Sequence, residues 1–253
     1  MRELKSEIRL QYFVISILLF SNPGYLLSQD PENYSEFRKE VASLTLDYKL
    51  EEALALCNKS DKSDREVIAA KSIIYSLMGN MDKNESYIEK GFTLLNPYHS
   101  RKDDYNIHAA FAISYGIQAN HSGLKEKTKL AQISMNHCKE ALKLNPNLPH
   151  PNFILGRFYF ELSEMSKVTA EIAKSILDKE EIERASYELA LSYLVKASKL
   201  APTRFLYNYY TGAAYNELKN NDKALHYYHL ADKNVRHTAD DRKAEKDLQK
   251  QIK

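Results

Sequence analysis

The sequence predicts an all-α fold, a right-handed α-solenoid of antiparallel helix pairs, and three observations lead to this prediction. The 253 residues include only seven glycines and seven prolines, which leaves few sharp turns for a many-stranded sheet. Small and aromatic residues recur at the intervals of closely packed helical hairpins. Three similar helix-stop motifs, at Leu95–Pro97, Leu144–Pro146 and Leu200–Pro202, indicate that one unit is repeated along the chain.

The clearest predicted hairpin runs from residue 205 to residue 231. A small residue followed by an aromatic one lets its first helix approach a neighbour closely, and a small-aromatic-small series seats its second helix. These residues are Gly212, Tyr215, Ala224, Tyr228 and Ala231. The turn between the helices is predicted at residues 220–222. The spacing is typical of a tetratricopeptide (TPR) helix pair, so we expect a TPR-like solenoid.

Three earlier segments repeat this pattern. In the first full repeat, residues 64–97, the turn is predicted at Gly79-Asn80. The second repeat breaks at residues 121–123, and its two helices together are longer than those of the last hairpin. The third repeat is longer still and has no glycine or proline between Arg157 and Ala201. We therefore predict lengthened helices in the second and third repeats, with a break near Asp178 in the third.

The ends of the chain depart from the repeat pattern. We predict N-terminal capping helices at residues 29–60 and a polar C-terminal capping helix at residues 238–253. The TPR-like repeat domain is predicted between them, at residues 61–237. Terminal units of a solenoid are atypical because one of their faces meets water.

The first 28 residues have the order of a secretory signal peptide. Basic residues at positions 2, 5 and 9 precede an apolar run over residues 12–20, which is too short to span a bilayer easily. Cleavage is predicted near Ser28, followed by export to the periplasm or the medium. An uncleaved anchor stays open as an alternative, because Leu26 is bulky for a cleavage site.

Composition and motifs argue against several classes of function. A formal net charge of +2 with no dense basic cluster gives no field for nucleic acid. The chain has no glycine-rich phosphate loop and no nucleophile motif, so we predict no enzyme activity and no cofactor. His226 and His229 lie three residues apart without a third ligand at suitable spacing, which argues against a metal site. Cys57 and Cys138 are predicted to be buried thiols.

One face of each repeat's first helix would line the concave groove of the solenoid. The repeat register selects for this groove Asn106, Ala109, Ile113, Asn120, Phe153, Arg157, Phe160, Tyr209 and Asn216. The asparagines favour a scaffold or adaptor that binds a peptide or protein segment. The apolar residues around Arg157 favour a carrier of a phospholipid or another anionic amphiphile. In a third interpretation Arg157 pairs with Glu161 one turn later, and the aromatic residues pack between repeats.

Several short motifs carry a resemblance to a known family. They are Asn106–Ala109, Leu142–Pro146, His150-Pro151, Leu155–Arg157 and Asp247-Leu248. With the long third repeat, they resemble the TPR domain of the regulator of microtubule dynamics family over about residues 60–250. The resemblance implies a non-enzymatic protein; eukaryotic members associate with microtubules and locate to mitochondria or the endoplasmic reticulum, and one tethers membranes and binds phospholipid. The signal-peptide-like start instead predicts an exported bacterial relative, which argues against a microtubule role and allows at most peripheral membrane contact. The oligomeric state is not indicated.

Overall fold

The computed structural model describes residues 36–165, 174, 177–235 and 239–252, and within these residues the regular elements are all helices. The predicted all-α class is therefore confirmed. In chain order the helices are α1 (Glu36–Leu46), α2 (Leu50–Lys59), α3 (Arg65–Asp82), α4 (Glu85–Leu95), α5 (Tyr105–Asn120), α6 (Leu124–Leu144), α7 (Pro149–Ser163), α8 (Lys179–Arg184), α9 (Tyr187–Leu200), α10 (Phe205–Glu217), α11 (Asn221–Asp232) and α12 (Ala239–Gln251).

The helices pack as successive pairs. The most extensive contacts join α3 to α4, α5 to α6, α7 to α9, and α10 to α11. Neighbouring pairs are connected through α3 with α5, α6 with α7, and α9 with α10. Helices α1 and α2 form a smaller pair at the N-terminal side, and α12 packs against both helices of the last pair. The buried apolar side chains form one continuous core along this series.

The predicted helix stops are confirmed. Helices α4, α6 and α9 end at Leu95, Leu144 and Leu200, each followed by a residue and a proline. Asn145 is extended, with φ −139° and ψ 98°, because a following proline disfavours helical geometry. Asn96 instead stays helical and begins a short 3₁₀ turn, Asn96–Tyr98.

An asparagine stabilises the chain after two of these stops. The Asn152 side chain donates a hydrogen bond to the carbonyl of Pro146 at 3.0 Å, and Asn208 donates to the carbonyl of Pro202 at 2.7 Å. Both asparagines are almost fully buried, so these bonds satisfy carbonyl groups of the loops that follow the helices.

Glycine permits the close approach of helices at the predicted positions. A Cβ atom added to Gly212 would lie 2.7 Å from the ring of Tyr228, and one added to Gly156 would lie 2.7 Å from Cγ of Leu194. These contacts join the first and second helices of the last two pairs. The spacing of small and large residues therefore predicted the correct contacts in both pairs.

The Gly156→Ala substitution should lower the free energy of unfolding by about 1–3 kcal/mol, because the methyl group would be forced against Leu194. Urea denaturation measures this change. The matched control is Gly123→Ala, where the added Cβ meets no atom within 4 Å. Gly123 is the N-cap of α6, so we expect only the cost of alanine at a cap, about 0.5–1 kcal/mol. Equal effects of the two substitutions would contradict the proposed overpacking.

The predicted turn of the first full repeat is wrong. Gly79-Asn80 lies inside α3, because Gly79 keeps helical geometry and its missing side chain admits Ile88 of α4. The turn lies instead at Lys83, whose φ of 53° is left-handed, and at Asn84, which caps α4.

The third repeat agrees with its prediction in part, because the predicted break near Asp178 is present. The 21-residue α6 confirms the lengthened second repeat. In the third repeat, α7 ends at Ser163 and α9 begins at Tyr187, and the described residues between them include the six-residue α8. The side chains of Asp178 and Ser186 accept hydrogen bonds from the first turns of α8 and α9, so caps begin two separate helices there.

The domain predictions that concern residues 1–35 lie outside the described residues, so the signal peptide stays a prediction. Helices α1 and α2 occupy the described part of the predicted N-terminal cap, and α12 lies in the predicted C-terminal cap. In the described ranges, no helix combines the length and apolarity needed to cross a membrane.

Candidate functional site

A cavity of about 450 Å³ opens between α7, α10, α11 and α12. This volume is within the range of small-ligand sites. Its lining combines aromatic, acidic and amide side chains: Phe160, Glu161, Glu164, Tyr209, Tyr210, Ala213, Asn216, Glu217, Tyr228, Asp247, Lys250 and Gln251. Three of the predicted groove residues, Phe160, Tyr209 and Asn216, belong to this lining.

The other predicted groove residues lie elsewhere. Ile113, Phe153 and Arg157 are buried, with at most 5% of each exposed. Asn106, Ala109 and Asn120 are partly exposed on α5 but do not line the cavity. The structure thus brings together the predicted residues of the last two pairs and leaves those of α5 apart from them.

Arg157 lies beside the cavity and contacts two of its lining residues. Its Nε atom is 3.7 Å from Oε1 of Glu161, and its guanidinium carbon lies 4.8 Å from the centre of the Tyr210 ring. The Tyr210 hydroxyl donates to the same Glu161 oxygen at 3.4 Å. The predicted Arg157–Glu161 pair is therefore present, reinforced by a cation–π contact.

The aromatic residues of the predicted groove connect α7 to its neighbours. The ring of Phe153 stacks on Tyr207 with centroids 4.4 Å apart. The ring of Phe160 meets Tyr187 and Tyr210 edge-on, at 5.5 and 5.7 Å. These contacts match the interpretation in which the aromatic residues pack between repeats, and Phe160 also borders the cavity.

The cavity carries an excess of negative charge. Four carboxylates, from Glu161, Glu164, Glu217 and Asp247, line it with one lysine, Lys250. Lys250 donates to Asp247 at 2.8 Å. Among the described residues, no cation forms an ion pair with Glu164 or Glu217. Three carboxylates are thus close together with little compensation beyond the Arg157 contact to Glu161.

The pKa of Glu164 is affected by its position near the other carboxylates. Desolvation of the carboxyl group has the largest effect, and together with the charges of Glu161 and Glu217 it raises the pKa of Glu164 to about 7. Burial and the nearby Glu217 charge raise the pKa of Tyr228 to about 12. Tyr228 therefore stays neutral at physiological pH, while Glu164 is partly protonated near pH 7.

Carboxylates beside aromatic faces form a site that attracts cations. A lysine or arginine side chain would be attracted by the negative charge of the carboxylates and by the quadrupole of the aromatic rings. An anionic group would instead be repelled by Glu164 and Glu217. In the part of the chain that the structure describes, no group of three or more His, Cys, Asp or Glu side chains is placed to hold a metal ion.

The sequence reasoning missed most of the acidic lining. The sequence pattern indicates Glu161 only as a partner of Arg157 and does not select Glu164, Glu217 or Asp247. A signal for Glu164 was present, because it lies three residues after Glu161 and so on the same helical face. No local signal links α7 with Asp247, since only the packing of α12 brings them together.

The two cysteines, His108 and His137 have structural surroundings. Cys57 and Cys138 are buried free thiols, as predicted, and burial raises the pKa of Cys57 to about 12. His108 and His137 approach each other between α5 and α6, with their Nδ1 atoms 3.0 Å apart. The packing between helices therefore holds the two cysteines and these two histidines in place.

The fold and the site together define an all-helical protein of packed helix pairs with a ligand-sized acidic cavity. The chain belongs to the regulator of microtubule dynamics protein 1-3 family, whose family model matches residues 37–253. This confirms the family inferred from the short sequence motifs.

Curated relatives share about a quarter of their residues with this chain. Regulator of microtubule dynamics protein 2 of Homo sapiens is 27% identical over 179 residues, which are 70% of this chain and 43% of that protein. Protein 2 of Mus musculus is 25% identical over 81% of this chain and 52% of its own length. Protein 3 of Rattus norvegicus is 27% identical over 56% of this chain and 30% of its own length. The matched region thus covers about half or less of these relatives.

Proposed function

We propose that this protein is a non-enzymatic adaptor of TPR type that binds a segment of a partner protein through a basic side chain. The observation that carries the proposal is the pair Glu164 and Glu217, which line an aromatic cavity without a cation of their own among the described residues. A lysine or arginine of the partner would supply the missing charge.

The TPR assignment rests on the similarity of successive pairs. Glycine admits the second helix at equivalent positions of two first helices, Gly156 and Gly212. Asn152 and Asn208 make the same hydrogen bond to a proline carbonyl at the start of those helices. Repeated contacts of this kind favour stacking of the pairs into a right-handed solenoid, with the cavity on its concave side.

The lining also favours a peptide over a small amine. Asn216 and Gln251 add amide groups beside the carboxylates, and amides can hydrogen-bond to the backbone of an extended segment. Arg157 is less suited to hold the head group of an anionic amphiphile, because Glu161 and Tyr210 already contact its guanidinium group.

The relatives suggest where to look for the partner. Their name makes proteins that act on microtubules candidates for testing. The argument against such a role rests on residues 1–28, which lie outside the described residues. Export and the resulting periplasmic or secreted location remain part of the prediction from those residues.

Calorimetric titration with short peptides tests the proposal. The acetylated and amidated peptide Ala-Lys-Tyr-Lys-Ala should bind, and its counterpart with glutamate in place of lysine should not. The double substitution Glu164→Gln and Glu217→Gln should weaken binding of the lysine peptide by about tenfold or more. Binding should also strengthen as the pH rises through about 7, because Glu164 then loses its proton.

The matched control replaces two exposed glutamates on α4, Glu85→Gln and Glu89→Gln, which do not line the cavity. This variant has the same net charge as the test variant, so it should retain the affinity apart from a small long-range effect. Equal losses in both variants, or equal binding of the glutamate peptide, would refute the basic-residue site.

A further inference from the structure

A second cavity, of about 370 Å³, lies between α6, α7 and α9. Its lining consists of basic, aromatic and aliphatic side chains together with one amide: Lys139, Leu142, Lys143, Pro146, Asn152, Leu155, Tyr159, Arg184, Tyr193 and Lys196. None of the residues predicted for the concave groove belongs to it.

The two cavities occupy different faces of α7. Leu155 and Tyr159 line the second cavity, whereas Glu161 and Glu164 line the first. Successive helical residues are rotated by roughly 100°, so the two sets point to nearly opposite sides of the helix. The second cavity is thus separate from the acidic one in both position and charge.

The charged lining of the second cavity is exclusively cationic. It contains Lys139, Lys143, Arg184 and Lys196, and no carboxylate. Lys143 and Arg184 have 69% and 52% of their side chains exposed, so they form a rim that a partner can reach. Lys143 also pairs with Glu140 at 2.6 Å, and Arg184 lies 3.6 Å from Glu181. Unlike the buried Arg157, these two cations are exposed, and exposed ion pairs are weak enough for a partner's carboxylate to compete with them. Lys196 has no anionic partner among the described residues.

A buried carboxylate holds part of this cationic lining in place. Glu181, 5% exposed, accepts a hydrogen bond from Lys139 at 2.6 Å and lies 3.6 Å from Arg184. It also accepts a hydrogen bond from the Tyr159 hydroxyl at 2.5 Å. This arrangement fixes two cations and one tyrosine before any ligand arrives, which lowers the entropy cost of binding.

The remainder of the lining is apolar. The ring of Tyr159 stacks on Tyr193 with centroids 5.8 Å apart, and Leu142, Leu155 and Pro146 lie beside them. An apolar or aromatic side chain could cover this surface while a neighbouring anion meets the basic rim.

We propose that this cavity is a second binding site, which takes an acidic segment of a partner protein with a large apolar residue next to its carboxylates. The carboxylates would pair with Lys143, Arg184 and Lys196, and the apolar residue would lie on Tyr193 and Leu142. A protein segment suits the site because the cations come from two long helices and α8 and extend around a surface rim. Charge complementarity selects acidic partners.

Fluorescence anisotropy with the full chain tests this site. The probe is a fluorescein-labelled peptide, Glu-Glu-Phe-Glu-Glu, and the same peptide with glutamine in place of glutamate is the negative probe. The Lys143→Glu substitution should weaken binding of the acidic probe by about tenfold, and adding salt should weaken binding to the unaltered protein.

Lys129→Glu is the matched control. Lys129 and Lys143 are both on α6, both are about two-thirds exposed, and each pairs with a glutamate three residues earlier. Lys129 does not line the cavity, so its substitution should leave the affinity within about twofold. Lys143→Gln, which removes the charge without reversing it, should cause a smaller loss of the same direction.

Three results would overturn the proposal. The first is an equal loss for Lys143→Glu and Lys129→Glu. The second is equal binding of the acidic and glutamine probes. The third is binding to phosphatidylglycerol vesicles that depends on Lys143 while the acidic peptide does not bind, because the rim would then face a membrane. Circular dichroism of each variant establishes that a loss of binding does not reflect unfolding.

Discussion

Alanine in place of Phe158 should lower the free energy of unfolding by about 3–5 kcal/mol. The side chain is fully buried in the middle of α7, a helix whose residues from Pro149 to Leu162 are all buried. Helix α7 contacts α6, α9 and α10, so the surroundings are held from several sides. The vacated volume cannot collapse easily, and both the lost transfer free energy and the remaining cavity contribute to the cost.

Urea denaturation followed by circular dichroism measures this loss. Leu225→Ala is the control, because Leu225 lies on α11 with 42% of its surface exposed. We expect it to cost about 0.5 kcal/mol or less. A similar cost for both substitutions would show that α7 does not have the central position that its contacts indicate.

The helix pairs could be predicted because their signals are local. Proline blocks helical geometry in the residue before it, and this single effect located the ends of α6 and α9. A glycine facing a large residue across a hairpin needs only the helical period to be recognised, as for Gly212 and Tyr228.

The third repeat shows the limit of this reasoning. The absence of glycine and proline predicts lengthened helices with one break near Asp178, but helices also begin where a side chain caps free N–H groups. The carboxylate of Asp178 accepts from the backbone N–H of Glu180, and the hydroxyl of Ser186 accepts from that of Leu189. The start at Asp178 agrees with the predicted break, whereas the second start, at Ser186, is an additional one that the pattern of glycine and proline does not indicate.

The candidate site was predictable only in part, for a physical reason. The helical register selects a face of α7 on which Phe160 lines the cavity and Arg157 lies beside it. Which residues of that face are covered depends on α10 and α12, because Tyr210 packs on both Arg157 and Phe160. The acidic character arises when Glu217 and Asp247, distant in sequence, meet Glu161. The pattern of a single helix cannot predict which carboxylates meet in the folded protein.

Acidification from pH 7 to about 4.5 should destabilise the protein by several kcal/mol through His150 and His137. Burial and the charge of Arg204 lower the pKa of His150 to about 3. Burial and the neighbouring His108 and His99 lower the pKa of His137 to about 4. In the unfolded chain both groups titrate near 6.5, so below that pH the unfolded state binds protons that the folded state does not. Their contribution is complete above pH 6.5 and is lost as the pH falls towards 4.

The His137→Phe variant isolates one of these contributions. Phenylalanine keeps an aromatic ring at the position that stacks on Phe111, with centroids 4.8 Å apart, but it cannot bind a proton. The variant loses the contact with His108, which lowers its stability at every pH. Its stability should nevertheless fall less steeply than that of the unaltered protein, by about 2 kcal/mol between pH 6.5 and 4.5. Carboxylates that titrate in the same range are common to both proteins and cancel in the difference, so parallel curves would mean that His137 is protonated equally in the folded and unfolded states.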